Sequence, residues 1–272
     1  MNWFEKVVVF LQSNMQTPNP YSWFHLLSLG LLIVAIVVVC KKCKNCSDKT
    51  FRRVLLTISL VMIGFELYKQ LVWSYNAETD VWKYNWYFFP WQFCSVPMFV
   101  ALVVAVAKES KFRDVLISFL ATFNLFAGLV VMLYPGDVFQ NMIGINIQTM
   151  VHHGAQVLIG VFMYVSGRVK MQHKTVLKGA VVFAVCATVA LCYNIAFHFI
   201  DPSVGANMFF IGPYVPCPTP VLSLFWGIVP YPVFLLIYLA GFTLAAYIIL
   251  LVAMLIKHVI AKVKSKKNNA VS

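Results

Sequence analysis

Seven runs of mostly apolar residues, each close to 20 residues long, follow one another along this chain, at 21–40, 54–74, 86–107, 115–134, 147–166, 179–200 and 230–256. An α-helix needs about 20 such residues to cross roughly 30 Å of hydrocarbon. Open strands are excluded as spanning elements, because lipid offers nothing to pair a sheet edge. Composition agrees: 61% of the 272 residues are hydrophobic and 11% are charged, against about one quarter charged in soluble domains. Water could not solvate that much apolar surface. The expected fold is therefore all-α, a polytopic membrane bundle of about seven transmembrane helices.

The charges orient it. Between the first and second runs lie Lys41, Lys42, Lys44, Lys49, Arg52 and Arg53, and between the third and fourth lie Lys108, Lys111 and Arg113. Arg168, Lys170, Lys174 and Lys178 separate the fifth from the sixth, and Lys257, Lys262, Lys264, Lys266 and Lys267 end the chain. The remaining bases are Lys6, Lys69 and Lys83, and the alternate loops carry the acids Glu78, Asp80, Asp137 and Asp201. Basic loops stay in the cytoplasm, which predicts an outer N-terminus, a cytoplasmic C-terminus and a multi-pass protein of the cell membrane. Clusters set between apolar runs are a topology signal, so no nucleic acid partner is expected. Anionic lipid headgroups at the cytoplasmic face are.

Residues 1–20 lack the basic start, apolar core and cleavage site of a signal peptide. Trp3, Phe4, Val7, Val8, Phe10 and Leu11 form an apolar stripe opposite Glu5 and Lys6, which predicts a short outer interfacial helix. The division is then an interfacial segment 1–20, a seven-helix membrane domain 21–256 and a basic tail 257–272. Pro230 and Pro232 break the long run before the last helix, so residues 221–229 are expected to enter the interface without crossing.

An ionisable residue inside a spanning helix is costly and marks a functional candidate. The second run carries Glu66, Lys69 and Gln70, whose spacing puts all three on one helix face. They either neutralise one another and pin the helix or serve a site. In the fifth run Gln148, His152 and Gln156 recur every four residues, with His153 about 100° away. The sixth contributes Asn194 and His198. Asn124 in the fourth is read as interhelical hydrogen bonding.

The third run begins Trp86-Tyr87-Phe88-Phe89-Pro90-Trp91-Gln92-Phe93-Cys94-Ser95-Val96-Pro97. Pro97 cannot donate to the Phe93 carbonyl, which frees an acceptor beside the Cys94 sulfur. Cys94 lies 8 residues past Trp86 and His152 lies 5 past Ile147, so helical rise puts them roughly 12 and 8 Å deep. A thiol in an apolar setting needs a base to reach the thiolate, and neutral histidine serves near neutral pH. A Cys–His pair in the outer half of the bilayer would meet the acyl esters of phospholipids.

The run Phe89-Pro90-Trp91-Gln92-Phe93-Cys94, followed by Val151-His152-His153-Gly154, resembles the YwaF-like family of bacterial integral membrane proteins. That family is similar to an animal transmembrane acyltransferase family that remodels ether phospholipids with a Cys and a His. Gly205-Ala206-Asn207-Met208 resembles its segment after the sixth helix, and the likeness spans about residues 50–256. It implies Cys94 as acyl-accepting nucleophile and His152 as general base. His153, Gln92, Gln156, Glu66, Lys69, Asn194, His198 and Asn207 are supporting or alternative residues. The bacterial pattern reads Leu-Pro-Leu-His-Leu-Cys, and Gln92 stands where that His would be. Gln92 can still position a lipid carbonyl.

Cys40, Cys43 and Cys46 form a CxxCxxC in which Asp48 is the only nearby candidate for a fourth ligand, amid several cations. Reduced juxtamembrane thiols are expected, with no metal and no cofactor. Two functional readings stand. One is a membrane-embedded acyltransferase acting on phospholipids and lysophospholipids through Cys94 and His152. The other is a proton-coupled transporter or lipid-moving protein using Glu66, Lys69 and the histidines.

Overall fold

The computed structural model describes residues 1–136 and 138–269. Asp137 of the expected acidic side lies outside them, as do the tail residues 270–272 and the side chains of Lys264 and Lys267. The chain is an all-α membrane bundle, built from α1 (Trp3–Leu11), α2 (Trp23–Lys42), α3 (Asp48–Ser74), α4 (Val96–Val106), α5 (Lys111–Phe119), α6 (Leu125–Leu133), α7 (Ile143–Val165), α8 (Lys174–Ile200) and α9 (Tyr231–Asn269). A π-helical turn, Leu120–Asn124, joins α5 to α6 in one rod. Among the described residues, five elements are long and apolar enough to cross a membrane: α2, α3, the α5–α6 rod, α8 and α9. With 23 residues, α7 has the length too, and its polar stripe sets it apart.

Helix starts follow local chemistry. Asn2 caps α1 through the amide of Glu5, whose carboxylate returns to the Asn2 amide. Ser47 caps α3 through Thr50 and Ser110 caps α5 through Arg113; each such cap contributes about 1 kcal/mol. Between α3 and α4 the chain makes a small antiparallel hairpin, β1 (Tyr75–Asn76) with β2 (Val81–Trp82).

The third run differs from expectation. Its helix spans only Val96–Val106, 11 residues, or roughly 16 Å, and residues 86–95 precede it as turns. Pro90 and Pro97 explain this: Pro97 is accommodated in the first turn of α4, where its missing N–H removes no bond. Cys94 therefore lies just before a helix, and its depth cannot be counted from Trp86 by helical rise. Residues 221–229 form no α-helix either; Leu222–Leu224 is a single 3₁₀ turn.

The basic connections meet at one end of the bundle, around Asp48. Its Oδ1 accepts from Nη1 and Nη2 of Arg113, each at 3.1 Å, and its Oδ2 accepts from Arg52 Nε at 2.5 Å. Arg168 Nη1 lies 3.4 Å from the same carboxylate and its Nη2 donates to the Cys46 carbonyl at 3.3 Å. Arg113 is buried, and its Nε donates to Val104 O. Asp48 is thus the hub of three guanidiniums, with both oxygens turned to arginine, not a ligand beside the cysteines. Of those, Cys40 is exposed, Cys46 half-buried and Cys43 buried.

At the opposite, acidic end, α1 packs on the top of α3. Gln12 donates to the carbonyls of Val72 and Tyr75 at 2.7 and 2.8 Å, and Phe4 stacks on Trp82 of the hairpin.

Candidate functional site

Residues 86–95 have only the 3₁₀ turn Trp86–Phe88 and a few local bonds to satisfy their backbone, so other elements supply partners. The Trp86 carbonyl accepts from Tyr193 Oη at 2.9 Å and the Phe88 carbonyl from Gln70 Nε2 at 2.7 Å. Trp91 donates its indole N–H to Cys186 O at 3.2 Å. The Phe93 ring enters an aromatic cluster with Phe119, Phe183, Phe209 and Phe242, at centroid distances of 6.5, 5.1, 5.6 and 5.3 Å. Irregular backbone at membrane depth is stable only when protein encloses it in this way. With Phe93 anchored, Cys94 is turned towards α7 and stays half-buried.

The polar stripe of α7 meets it there. Nε2 of His152 lies 3.0 Å from the Cys94 carbonyl oxygen, and Nε2 of Gln156 donates to the same oxygen. The acceptor that α7 engages is the carbonyl of Cys94, next to the Phe93 carbonyl to which Pro97 cannot donate. A carbonyl only accepts, so His152 carries its proton on Nε2 and presents Nδ1 as a lone pair. That Nδ1 is buried without a hydrogen-bond partner. A cysteine's sulfur stays within about 5 Å of its own carbonyl oxygen by covalent geometry, which puts the thiol within about 8 Å of the His152 ring. His153 shows the opposite tautomer, since its Nδ1 faces the Thr149 carbonyl at 2.8 Å. Its hydrogen bond stays within α7.

Close approach of α6 fixes this face of α7. A Cβ built on Gly128 would fall 2.8 Å from both Gln156 Cβ and the His153 carbonyl oxygen, so only glycine permits the contact. One turn earlier, the π-turn aims Asn124 at α7, and its Nδ2 donates to Gln156 O at 2.9 Å and Leu120 O at 3.0 Å. Asn124 is interhelical glue, and π-turns recur at functional sites because they re-aim one side chain in this way.

Glu66, Lys69 and Gln70 do share a face of α3. Glu66 Oε1 accepts from Lys69 Nζ at 2.8 Å and from Gln70 Nε2 at 2.6 Å, while Oε2 is buried without a partner. Glu66 is buried and Lys69 nearly so, with side chains 4% and 15% exposed.

Gln92, Asn194 and Asn207 form a separate group that holds a buried loop after α8. Gln92 Nε2 donates to Asn207 O at 3.2 Å and its Oε1 accepts from Phe209 N at 2.9 Å. Asn194 bonds both polar backbone atoms of Met208, at 2.9 and 2.6 Å. Asn207 donates to Pro216 O at 3.1 Å and accepts from Gly212 N at 2.8 Å. Phe209 and Phe210 adopt positive φ, 57° and 56°, a strained backbone that needs such clamping. Both ends of Gln92 are engaged, so it clamps this loop. His198 stands apart, stacked on Tyr214 with centroids 3.5 Å apart.

Two contributors escaped sequence reasoning. Tyr238, fully buried, donates to the Phe209 carbonyl at 2.7 Å; its only signal was a phenol within an apolar run. His25 is fully buried, its Nδ1 accepting from Tyr21 N and its Nε2 facing Met132 O, each at 2.9 Å. With both nitrogens used, it staples α2 to the end of α6.

The TMEM164 family matches this chain over residues 20–259. No curated protein and no solved structure shows a match. The chain belongs to the TMEM164 family and is a multi-pass membrane protein.

Proposed function

We propose that this protein is a membrane-embedded acyltransferase that moves fatty acyl groups among phospholipids and lysophospholipids. The observation that carries the reading is the His152–Cys94 relationship: a buried imidazole with an unpartnered Nδ1, bonded to the backbone of the half-buried Cys94 and therefore within about 8 Å of its thiol. Membership of the TMEM164 family and the resemblance to ether-phospholipid-remodelling enzymes support it. In the first half-reaction the thiol proton passes to His152 Nδ1 and sulfur attacks the acyl ester carbonyl. The intermediate collapses to an S-acyl thioester, and the departing glycerol oxygen takes the proton back from Nδ1. In the second, a lysolipid hydroxyl gives its proton to Nδ1 and attacks the thioester, and the thiol is reformed. Cys94 stands just before α4, whose positive N-terminal end favours thiolate and oxyanion.

In this reading the basic end is cytoplasmic, the site lies in the outer half of the cell membrane, and the exposed Lys41, Lys42 and Lys44 attract anionic headgroups at about 1 kcal/mol each. Arg52, Arg113 and Arg168 contribute little to that, because Asp48 already holds them. The test is intact-protein mass spectrometry of detergent-purified protein after incubation with phospholipid. A fatty-acyl mass increment is expected on the native chain and not on Cys94→Ala; no increment on either removes the covalent mechanism. A second reading, a proton-coupled transporter or lipid-moving protein, draws on the orphaned Glu66 Oε2, a buried carboxylate oxygen able to take a proton.

A further inference from the structure

Lys69 is the only Lys or Arg of α2–α8 in the half of the bundle away from the basic end. A lysine so near a helix end ordinarily extends its stem outward to water. Side chains of a helix lean towards its N-terminus, which for α3 is the basic end, and Lys69 follows that lean inward onto Glu66 one turn deeper. Its ammonium has three donors and bonds Glu66 Oε1 alone, which leaves two free. Gln70, which bonds the same Glu66 oxygen, also donates to the Phe88 carbonyl in the segment that leads to Cys94.

Heights along the bundle give the spacing. The Tyr68 hydroxyl abuts Gly144, where a Cβ would fall 1.8 Å from it. His152 is 8 residues deeper on α7, roughly 12 Å, and the Lys69 ammonium stands between those levels, beside Glu66. Val72 and Trp73, one turn above Lys69, line a cavity of about 980 Å³ open to the acidic end, together with Lys83, Trp86 and Asp201. The vestibule, the Lys69 ammonium one turn below its Val72–Trp73 wall and the Cys94–His152 level thus follow one another in that order along the bundle.

We propose that the Lys69 ammonium receives the phosphate of the glycerophospholipid whose acyl ester Cys94 handles, with the headgroup projecting into the vestibule. The assignment of the occupant as a lipid substrate rests on the acyltransferase reading. In a glycerophospholipid the short glycerol linker separates phosphate from ester, and Lys69 stands on the vestibule side of the Cys94–His152 contact. Glu66 and Gln70 hold the ammonium at that height.

The test is binding to the full chain in maltoside micelles, read by tryptophan fluorescence, since Trp73 and Trp86 line the vestibule. The probes are hexadecylphosphocholine and the phosphate-free 1-O-hexadecylglycerol. Native protein should bind the first at least about tenfold tighter, the scale of a charged hydrogen bond. Glu66→Gln, which removes the competing carboxylate, should keep or raise that ratio. Glu66→Gln/Lys69→Met, which leaves no charge orphaned in the apolar interior, should bring the ratio to within about twofold. Equal binding of both probes by native protein, or an unchanged ratio in the double variant, overturns the proposal. Displacement of the amphiphile by an equal concentration of inorganic phosphate overturns the lipid assignment. The readout needs no acyl transfer, so loss of the enzymatic reading through an active Cys94→Ala would be seen separately.

Discussion

The imidazole of His152 donates its Nε2 proton to the backbone carbonyl of Cys94, at 3.0 Å, and keeps its free nitrogen for something else. The same carbonyl is held by Gln156. Residue 94 is thereby held through its backbone carbonyl and not through its sulfur, an arrangement suited to a nucleophile that must change partners during turnover.

If Cys94 carries acyl groups, Cys94→Ala and Cys94→Ser should both insert normally and lose acyl transfer by at least ~10²-fold, the scale of a lost catalytic group. His152→Gln should lose nearly as much. Combined with Cys94→Ala it should add little, because the two act as a unit. A lipid acyl-transfer assay on reconstituted protein decides. Under the transporter reading the order reverses, with Glu66→Gln abolishing transport and Cys94→Ala nearly silent.

Gly128→Ala should destabilise the bundle by about 1–3 kcal/mol, the usual range for overpacking, because its Cβ has no room against Gln156 and His153. Gly64→Ala in α3 meets nothing within 4 Å and should be neutral or slightly stabilising. Thermal unfolding of the two purified variants compares them directly; equal melting temperatures would refute the packing argument.

The Glu66–Lys69 pair should show strong coupling. Lys69→Met alone strands a buried carboxylate and should cost about 3–5 kcal/mol, whereas Glu66→Gln/Lys69→Met removes both charges and should recover most of it. A double-mutant cycle of denaturation midpoints measures this. Additive losses would mean that the two side chains do not meet.

A pH-sensitive contact joins the hairpin at the acidic end. The Tyr75 hydroxyl donates to Asp80 Oδ1 at 2.5 Å; this bond holds the carboxyl below its ordinary range and pushes the Tyr75 phenol up to about 12. A lowered carboxyl contributes stability that is present above about pH 4 and lost as pH falls through the folded value. A raised phenol contributes stability that is present below about pH 10 and lost as pH rises through about 12. Trp82, whose ring centroid lies 4.8 Å from that of Tyr75 at a 38° tilt, should therefore show steady fluorescence between those limits and change at both edges. Asp80→Asn should remove both edges; an unaltered profile in that variant would exclude the contact as their source.

Much of the architecture is written in the chain. Five of the seven apolar runs form helices long and apolar enough to span, clustered bases define the end where Arg52, Arg113 and Arg168 meet, and the four-residue recurrence of Gln148, His152 and Gln156 defines the buried face of α7. Each is a local property: a span reports one segment's preference for lipid, and a stripe reports one helix's inner side. The faces of Glu66, Lys69 and Gln70 were legible for the same reason.

What each stripe touches is a matter of tertiary structure. Cys94 precedes a helix because Pro97 is accommodated only in a first turn, and its carbonyl, not its sulfur, meets His152. Gln92 and Asn207 read as site residues by resemblance and Asn194 by polarity, and in the packed bundle all three clamp the loop around Phe209. Asp48 read as a stray acid near three cysteines and became the hub of three arginines from separate connections. Hydrogen bonds between distant segments depend on how closely helices approach, and that is set by single positions such as Gly128. Periodicity carries the identity of a face, whereas the partner of that face exists only once the helices are packed.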